Sequence, residues 1–530
     1  MRIQRLYIKN YGNLQDFDFR PDVYHQTSVV LGRNGAGKSN LIEVLVEIFR
    51  DLETGSSSSF FYEIDYFIRG TSVSIVNNPS SRPRLKIKND KIGRVSLEKF
   101  KASLDELLPK YVFAYYSGWN ERLEKLFEKP TNELYKKWKG GSSSDNIPLR
   151  RLFYCRKDYS QLVLLAFFLM DNNPKIKEFL LNFLGVKEFD SALFVMHKPF
   201  WRGAGKPKQE DIDNGDPIFW YARGAFQTFT DRLWRHSLAP IRNKETISKD
   251  FRDRNEDQER LYLFIKDRFV LNELIYPGED ETHFFAHLEG LYLCDLIDEV
   301  RVTINHDEAG LIRFDQLSEG EQQLLTVLGL MHFTKGEESL FLLDEPDTHL
   351  NPAWTYEYLN LLENQMVERT SQLLITSHNP LMIGGLKKEQ VRLLRRHYKN
   401  DKPSIVAELP EEDPIGMGVD GLLQSEIFGL KSVLPPSVVN RLTQRYKLLG
   451  ITNKTTEMAA ELERLTRELE QMGIAHTFPH PYFHQFSQAL ARNPIMSKKD
   501  FSVDEVAEIE DITDELLQEI IDGNDKEGNT

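Results

Sequence analysis

The chain has 530 residues, 40% hydrophobic and 28% charged, which is ample material for a large core and, at about 150 residues each, for three or four domains. Its net charge of −14 is uneven: residues 501–530 hold eleven acids and one base, leaving only −4 on the other 500, so the acidic average does not exclude a nucleic-acid partner. Two cysteines, Cys155 and Cys294, give no disulfide framework and no metal pattern, the most apolar run (Leu162 to Met170) is too short for a bilayer, and no signal-peptide core follows Met1. A cytoplasmic protein without a membrane segment is expected.

In chain order, residues 1–20 alternate as two short strands around Tyr11-Gly12-Asn13. Ser28 to Leu31 reads as a buried strand that runs into glycine. A helix is expected from Lys38 to about Arg50, with Leu41, Val44, Leu45 and Ile48 on one face. Gly55 to Ser59 is a flexible break. Val112 to Tyr116 reads as another core strand. Gly140 to Ser144 marks a boundary, and residues 141–305 read as a mainly helical, compact insertion without sustained heptads. Strands and helices return over 306–410. A helical region follows over 411–500, where Met458, Leu462, Leu465, Leu469 and Met472 are spaced as a short coiled coil. The last segment, 501–530, is an acidic tail.

Gly32-Arg33-Asn34-Gly35-Ala36-Gly37-Lys38-Ser39, followed by Asn40, fits a phosphate-binding loop between a strand and a helix. The glycines let backbone N–H groups face phosphate oxygens, and the helix N-terminus adds partial positive charge. Lys38 is expected at the β- and γ-phosphates, and Ser39 at Mg²⁺. Leu340 to Leu343 is an apolar strand that ends in Asp344 and Glu345. Unpaired charge avoids the interior, so both acids are expected at the strand mouth, Asp344 beside Mg²⁺ and Glu345 orienting or deprotonating the attacking water. A second apolar strand, Leu373 to Thr376, leads to His378, which can hydrogen-bond a γ-phosphate oxygen. Leu317-Ser318-Glu319-Gly320-Glu321-Gln322 precedes an apolar helix. Ser318 and Glu321 make a capping box, so these residues also read simply as a helix start.

Taken together, Gly32–Ser39, Leu317–Gln322, Asp344–Glu345, Asp347–Leu350 and His378 resemble, in this order, the Walker A, signature, Walker B, D-loop and H-loop motifs of the ABC ATPase superfamily. Leu-Ser-x-Gly-Glu-Gln and the start Ile3-x-x-Leu6-x-Ile8-x-Asn10-Tyr11-Gly12 resemble its SMC, RecF and OLD branch. The resemblance covers about 1–140 and 305–410. It implies an α/β fold: an ABC ATPase head, with a mixed sheet and flanking helices, carrying a helical insertion and a helical C-terminal region. It also implies ATP and Mg²⁺ as cofactors and a homodimer in which ATP on one Walker A loop is capped by Ser318, Gly320 and Glu321 of the other subunit. The family's Q-loop glutamine should follow Tyr116. Ser117-Gly118-Trp119-Asn120 stands there, which leaves Asn120 as the candidate and the coupling to Mg²⁺ open.

Beyond the head, Gly416 to Leu430 resembles the anti-phage ATPases of the PtuA type, from Septu systems and retrons. That implies an HNH nuclease partner of the PtuB kind, a higher oligomer as an option, and in retrons a reverse transcriptase with its nucleic acid. The tail, with Val503, Val506, Ile509, Ile512, Leu516 and Ile520 at helical spacing, is then a candidate docking strip, or else a solvated tail. Two other readings stay open. One is an OLD-like intrinsic nuclease, for which Asp211, Asp213 and Asp216 in a polar loop and His476, His480 and His484 are weak candidates. The other is a DNA-repair clamp using Lys206, Lys208, Arg252, Arg254 and Lys266.

Overall fold

The computed structural model describes residues 1–472 apart from 83, 92, 119–120, 140–148, 171–172, 203–206, 248–255, 335–337, 367–369, 400–401, 431, 450 and 452–453. Trp119, Asn120, the Gly140–Ser144 boundary, Lys206, Arg252, Arg254, the three histidines after 475 and the acidic tail therefore lie outside the described residues. The chain forms two compact units, Met1–Leu422 and a second that begins at Leu423.

The first unit holds three sheets. An antiparallel sheet has the order β2-β1-β4-β5-β6-β7, built from β1 (Arg2–Tyr11), β2 (Leu14–Phe19), β4 (Tyr62–Ile68), β5 (Thr71–Asn77), β6 (Leu85–Asn89) and β7 (Gly93–Val95). Its inner face is laid down by strict alternation: Tyr62, Ile64, Tyr66 and Ile68 of β4 are buried, and the residues between them are not. A mixed sheet has the order β18-β17-β3-β16-β15-β8-β9, from β3 (Thr27–Gly32), β8 (Val112–Tyr116), β9 (Leu152–Tyr154), β15 (Leu340–Asp344), β16 (Gln372–Ser377), β17 (Val391–Lys399) and β18 (Lys402–Glu408). Only β17–β18 pair antiparallel here. β15 and β16 are buried at every residue, as strands covered on both faces must be, which is why they read as continuous apolar runs.

The third sheet, antiparallel β11-β12-β10-β13-β14, overturns the expectation of a mainly helical insertion. It is made from β10 (Val186–His197), β11 (Leu238–Ile247), β12 (Glu256–Ile265), β13 (Ile297–His306) and β14 (Gly310–Arg313). Helices are present in the insertion, at Tyr159–Phe168, Pro174–Leu184, Ala225–His236 and Glu281–Leu293, but four strands of ten to twelve residues form its frame. The alternation was hidden for a physical reason. β10 shifts register against β13 three times, so its buried residues Ala192, Phe194, Val195 and Met196 lose the two-residue period.

Helix Tyr159–Phe168 is the apolar stretch singled out by hydropathy. It is buried at every residue but Gln161 and packs against helix Glu319–Phe333, itself buried from Gln323 to Phe333. Among the described residues no helix is long and apolar enough to cross a membrane. In the second unit, helices Pro436–Leu449 and Thr456–Gln471 pair through Val438, Leu442 and Leu469. Arg441–Glu468 and Arg445–Thr466 hydrogen bonds run the two helices antiparallel.

Candidate nucleotide-binding site

Register brings the motifs together. β3, β16 and β15 are parallel neighbours, with Leu31 opposite Ser377 and Thr376 opposite Asp344. The chain leaves all three strands at one edge, so the loop after β3, the two acids after Leu343 and the histidine after Ser377 meet there.

The loop from Gly32 is shaped by backbone that only glycine adopts freely: Gly35 has φ 78° and Gly37 has φ 92°. A Cβ on Gly37 would also lie 2.7 Å from Leu14 Cδ2 and 2.8 Å from Asn13 Oδ1. Helix Lys38–Thr54 starts at Gly37 without a side-chain cap, which leaves its first N–H groups for a ligand. Asn13, in the β1–β2 turn, braces the loop from outside. It donates to the Gly35 carbonyl at 2.7 Å and accepts from Asn40 Nδ2 at 2.7 Å. Gly12 next to it has φ 54°, and a Cβ there would lie 2.5 Å from Asn40 Nδ2. Sequence reading took Asn13 only as a turn residue. Arg33, Asn34 and Ala36 complete the loop, with Ala36 N donating to the Arg33 carbonyl at 2.9 Å.

Lys38 is buried, donates to the Gly32 carbonyl at 3.0 Å and lies 3.4 Å from Glu345 Oε1. His378 Nδ1 is 3.4 Å from the same Glu345 oxygen, so Lys38, Glu345 and His378 form one cluster. Glu345 has φ 51°, a conformation that a side chain rarely adopts. It is held by Glu345 N–H bonds to the Thr376 carbonyl (3.0 Å) and hydroxyl (3.2 Å).

The expectation that both acids sit at the strand mouth needs correction. Glu345 is partly exposed, but Asp344 is 2% exposed. Burial raises its carboxyl pKa, opposed by hydrogen bonds from Thr376 and Ser39, raised further by Glu345 and lowered by Lys38. A buried carboxylate beside a serine hydroxyl offers the hard oxygen donors that Mg²⁺ takes, so Ser39 and Asp344 fit it. Behind them lie Tyr116 and an ion pair, Arg122 to Glu43 at 2.9 Å, which pattern reading did not single out. Burial raises Glu43, with Arg122 opposing and Asp344 adding.

The Ser318 segment caps helix Glu319–Phe333. Glu321 N–H donates to Ser318 Oγ (3.3 Å), and Ser318 N–H donates to Glu321 Oε2 (2.7 Å). Ser318 itself is exposed. The helix start is fastened to the segment after the acids. Gln323 Nε2 donates to the Pro346 carbonyl, and Gly320 is so close that a Cβ would lie 2.5 Å from the His349 carbonyl oxygen. Asp347 is buried and accepts from Ser377 Oγ at 3.2 and 3.1 Å, while Thr348 bonds the Glu345 carbonyl (2.8 Å) and Ser117 (3.0 Å). Ser318, Gly320, Glu345 and His378 thus belong to one bonded train of loops. Within one chain, no described bond joins Ser318 or Gly320 to the glycine loop.

The weak nuclease candidates have structural partners. Asp211 pairs with Arg223 in a short helix, Gln209–Asn214, and Asp216 caps the following turn, which corrects their placement in a loop. Among the described residues no group of three or more His, Cys, Asp and Glu side chains could hold a metal ion. Lys266 lies 3.6 Å from Asp267, and Lys208 caps that same short helix.

In its fold and in this site the chain is similar to ATPases of the ABC type. The chain resembles the Septu protein PtuA of Bacillus mycoides (strain KBAB4), 27% identical over 42% of this chain and 33% of that protein. It therefore spans about a third of the length of that relative. A retron Ec83 probable ATPase of Escherichia coli is 20% identical over 86% of this chain and 81% of that protein, and protein ea59 of Escherichia phage lambda is 23% identical over 28% and 29%. Family models for "AAA domain, putative AbiEii toxin, Type IV TA system" and for "AAA domain" match residues 189–384 and 1–97. An SMC head bound to the C-winged helix domain of ScpA aligns over 78% of this chain and 98% of its own, at 11% identity and TM-score 0.34. The SMC head domain from Thermotoga maritima aligns over 77% and 99%, at 11% and 0.31. Likenesses this remote fix no residue correspondence.

Proposed function

We propose that this chain binds ATP with Mg²⁺ on the loop Gly32–Ser39, closes on it as a two-fold homodimer, and through hydrolysis controls a partner nuclease in anti-phage defence. The observation that carries the ATP reading is the meeting of Lys38, Asp344, Glu345 and His378 at one edge of parallel strands.

In this reading Lys38 exchanges its bond to the Gly32 carbonyl for the β- and γ-phosphates. Bound at Ser39 and Asp344, Mg²⁺ would supply charge neutralisation at those phosphates. Glu345, fixed by its two N–H bonds to Thr376, accepts the proton of the attacking water, and His378 holds a γ-phosphate oxygen. The helix start, with Ser318 exposed, makes no described bond to the glycine loop of its own chain, and in a second copy it aims N–H dipoles at the γ-phosphate. Loss of that phosphate removes contacts that only the closed dimer makes, so nucleotide state shifts the assembly. The nuclease partner is what the resemblance of Gly416 to Leu430 to PtuA-type ATPases implies, and the acidic tail is its proposed docking strip.

The test is Glu345→Gln: it keeps ATP, loses turnover by 10²–10⁴-fold as general-base loss does, and elutes as an ATP-dependent dimer. An unchanged hydrolysis rate would remove Glu345 from the role. Deletion of 501–530 should abolish pull-down of a co-encoded HNH protein, and retained pull-down would end the docking assignment.

A further inference from the structure

The edge of the β2–β7 sheet carries charge that neither the fold nor the ATP site uses. Residues 82–101 hold eight cations against two acids, Asp90 and Glu98, in a chain of net charge −14. Arg84, Lys86 and Lys88 are exposed, while Ile87 and Asn89 between and beyond them are buried. Alternation therefore sets the three cations on one face at steps of about 6.7 Å, close to the interval between neighbouring phosphates along a nucleic-acid strand. Register then places Arg94 of β7 directly opposite Lys88. Like charges facing each other across a strand pair destabilise it, yet among the described residues no carboxylate lies within ion-pair distance of Arg84, Lys86, Lys88 or Arg94. Asp90 follows two residues after Lys88, while Glu63 and Asp65 stand two strands inward, and Glu63 is taken by Arg5 at 2.9 Å.

Beside these cations opens a groove of about 550 Å³, lined by Arg84, Lys86 and Arg94 together with the hydroxyls of Ser56, Ser57 and Ser96. Cations with short hydroxyl and backbone donors are the usual phosphate-contacting set. Ser56 and Ser57 follow helix Lys38–Thr54, whose other end is the glycine loop, so the two sites sit at opposite ends of one 17-residue helix, about 25 Å apart.

We infer that the edge formed by Arg84, Lys86, Lys88 and Arg94 binds the phosphodiester backbone of a nucleic acid, without reading its sequence. This stands apart from the ATP reading, and its test does not require hydrolysis.

Anisotropy of labelled 30-nucleotide DNA, single-stranded and duplex, would be followed with the full chain from 50 to 200 mM KCl. Four phosphate contacts predict a slope of log K against log salt of about −3.6 on duplex. Lys86→Glu with Lys88→Glu and Arg94→Glu should weaken binding on the order of 100-fold and flatten the slope by about 2.7. The milder triple change to Gln guards against misfolding and should show the same direction, with melting temperature and ATP binding unaltered. Equal affinity of wild type and both triple variants, or binding indifferent to salt, overturns the inference. Competition by polyglutamate as effective as by unlabelled DNA at equal charge also overturns it, in favour of an acidic protein partner.

Discussion

Ser318→Ala separates the two roles that its position allows. As an N-cap, the serine accepts from Glu321 N–H and is backed by the reverse bond from its own N–H to Glu321. Removing the hydroxyl deletes the first bond and the hydroxyl's own donation to Glu321 Oε2 at 2.8 Å, and leaves the bond from Ser318 N–H, at a cost of about 1 kcal/mol. Unfolding entropy is about 2.1 cal/mol/K per residue. Over a first unit ending at Leu422 that is about 0.9 kcal/mol/K, so the cap alone lowers Tm by about 1 °C. The γ-phosphate contact is different. A hydrogen bond to a charged group contributes about 1.5–3 kcal/mol, and two symmetric sites lose about 3–6 kcal/mol, on the order of 10²–10⁴ in dimer affinity. Sedimentation velocity of Ser318→Ala in a Glu345→Gln background with ATP, beside a melting scan, reads both. The expected result is a nearly unchanged Tm and a dimer that forms only at far higher concentration. ATP-dependent dimerisation equal to that of Glu345→Gln alone would show that Ser318 is a helix cap and nothing more.

Lys38→Ala should lose ATP-dependent thermal stabilisation, checked by a melting scan with and without nucleotide. Asp344→Asn removes a buried charge from the nucleotide-free chain, so the apo protein should melt no lower than wild type, while added Mg²⁺ no longer tightens ATP binding by calorimetry. Gly329→Ala should destabilise by about 1–3 kcal/mol, because a Cβ there would lie 2.1 Å from Val163 Cγ1. Val163→Ala in the same chain should restore part of that loss in chemical denaturation. Arg150→Ala breaks a buried pair, 2.7 Å from Glu289, and should cost about 3–5 kcal/mol by the same measurement.

Much of the site could be read directly. The glycine loop, the apolar strand before Asp344, the capping box at Ser318 and the strand before His378 are local patterns, and each forms the element its residues imply. Their neighbours could not be read in this way. Asn13 became a brace for the glycine loop only because the β1–β2 turn packs beside it, and Thr376 met Asp344 only through strand register. Asp344 was placed at the strand mouth because an isolated charge avoids the interior. The folded chain buries it because Thr376, Ser39 and Lys38 surround it there.

By itself the sequence determined the strand–loop–helix of the phosphate loop, the acids after an apolar strand and the capped helix, since each depends on residues within one turn or one strand of each other. Tertiary structure decided the rest. The insertion became a sheet because β10 finds partners far along the chain, β12 in unbroken register and β13 across three register shifts. Contacts between residues distant in the chain leave no local period to read, so only the packed molecule shows them.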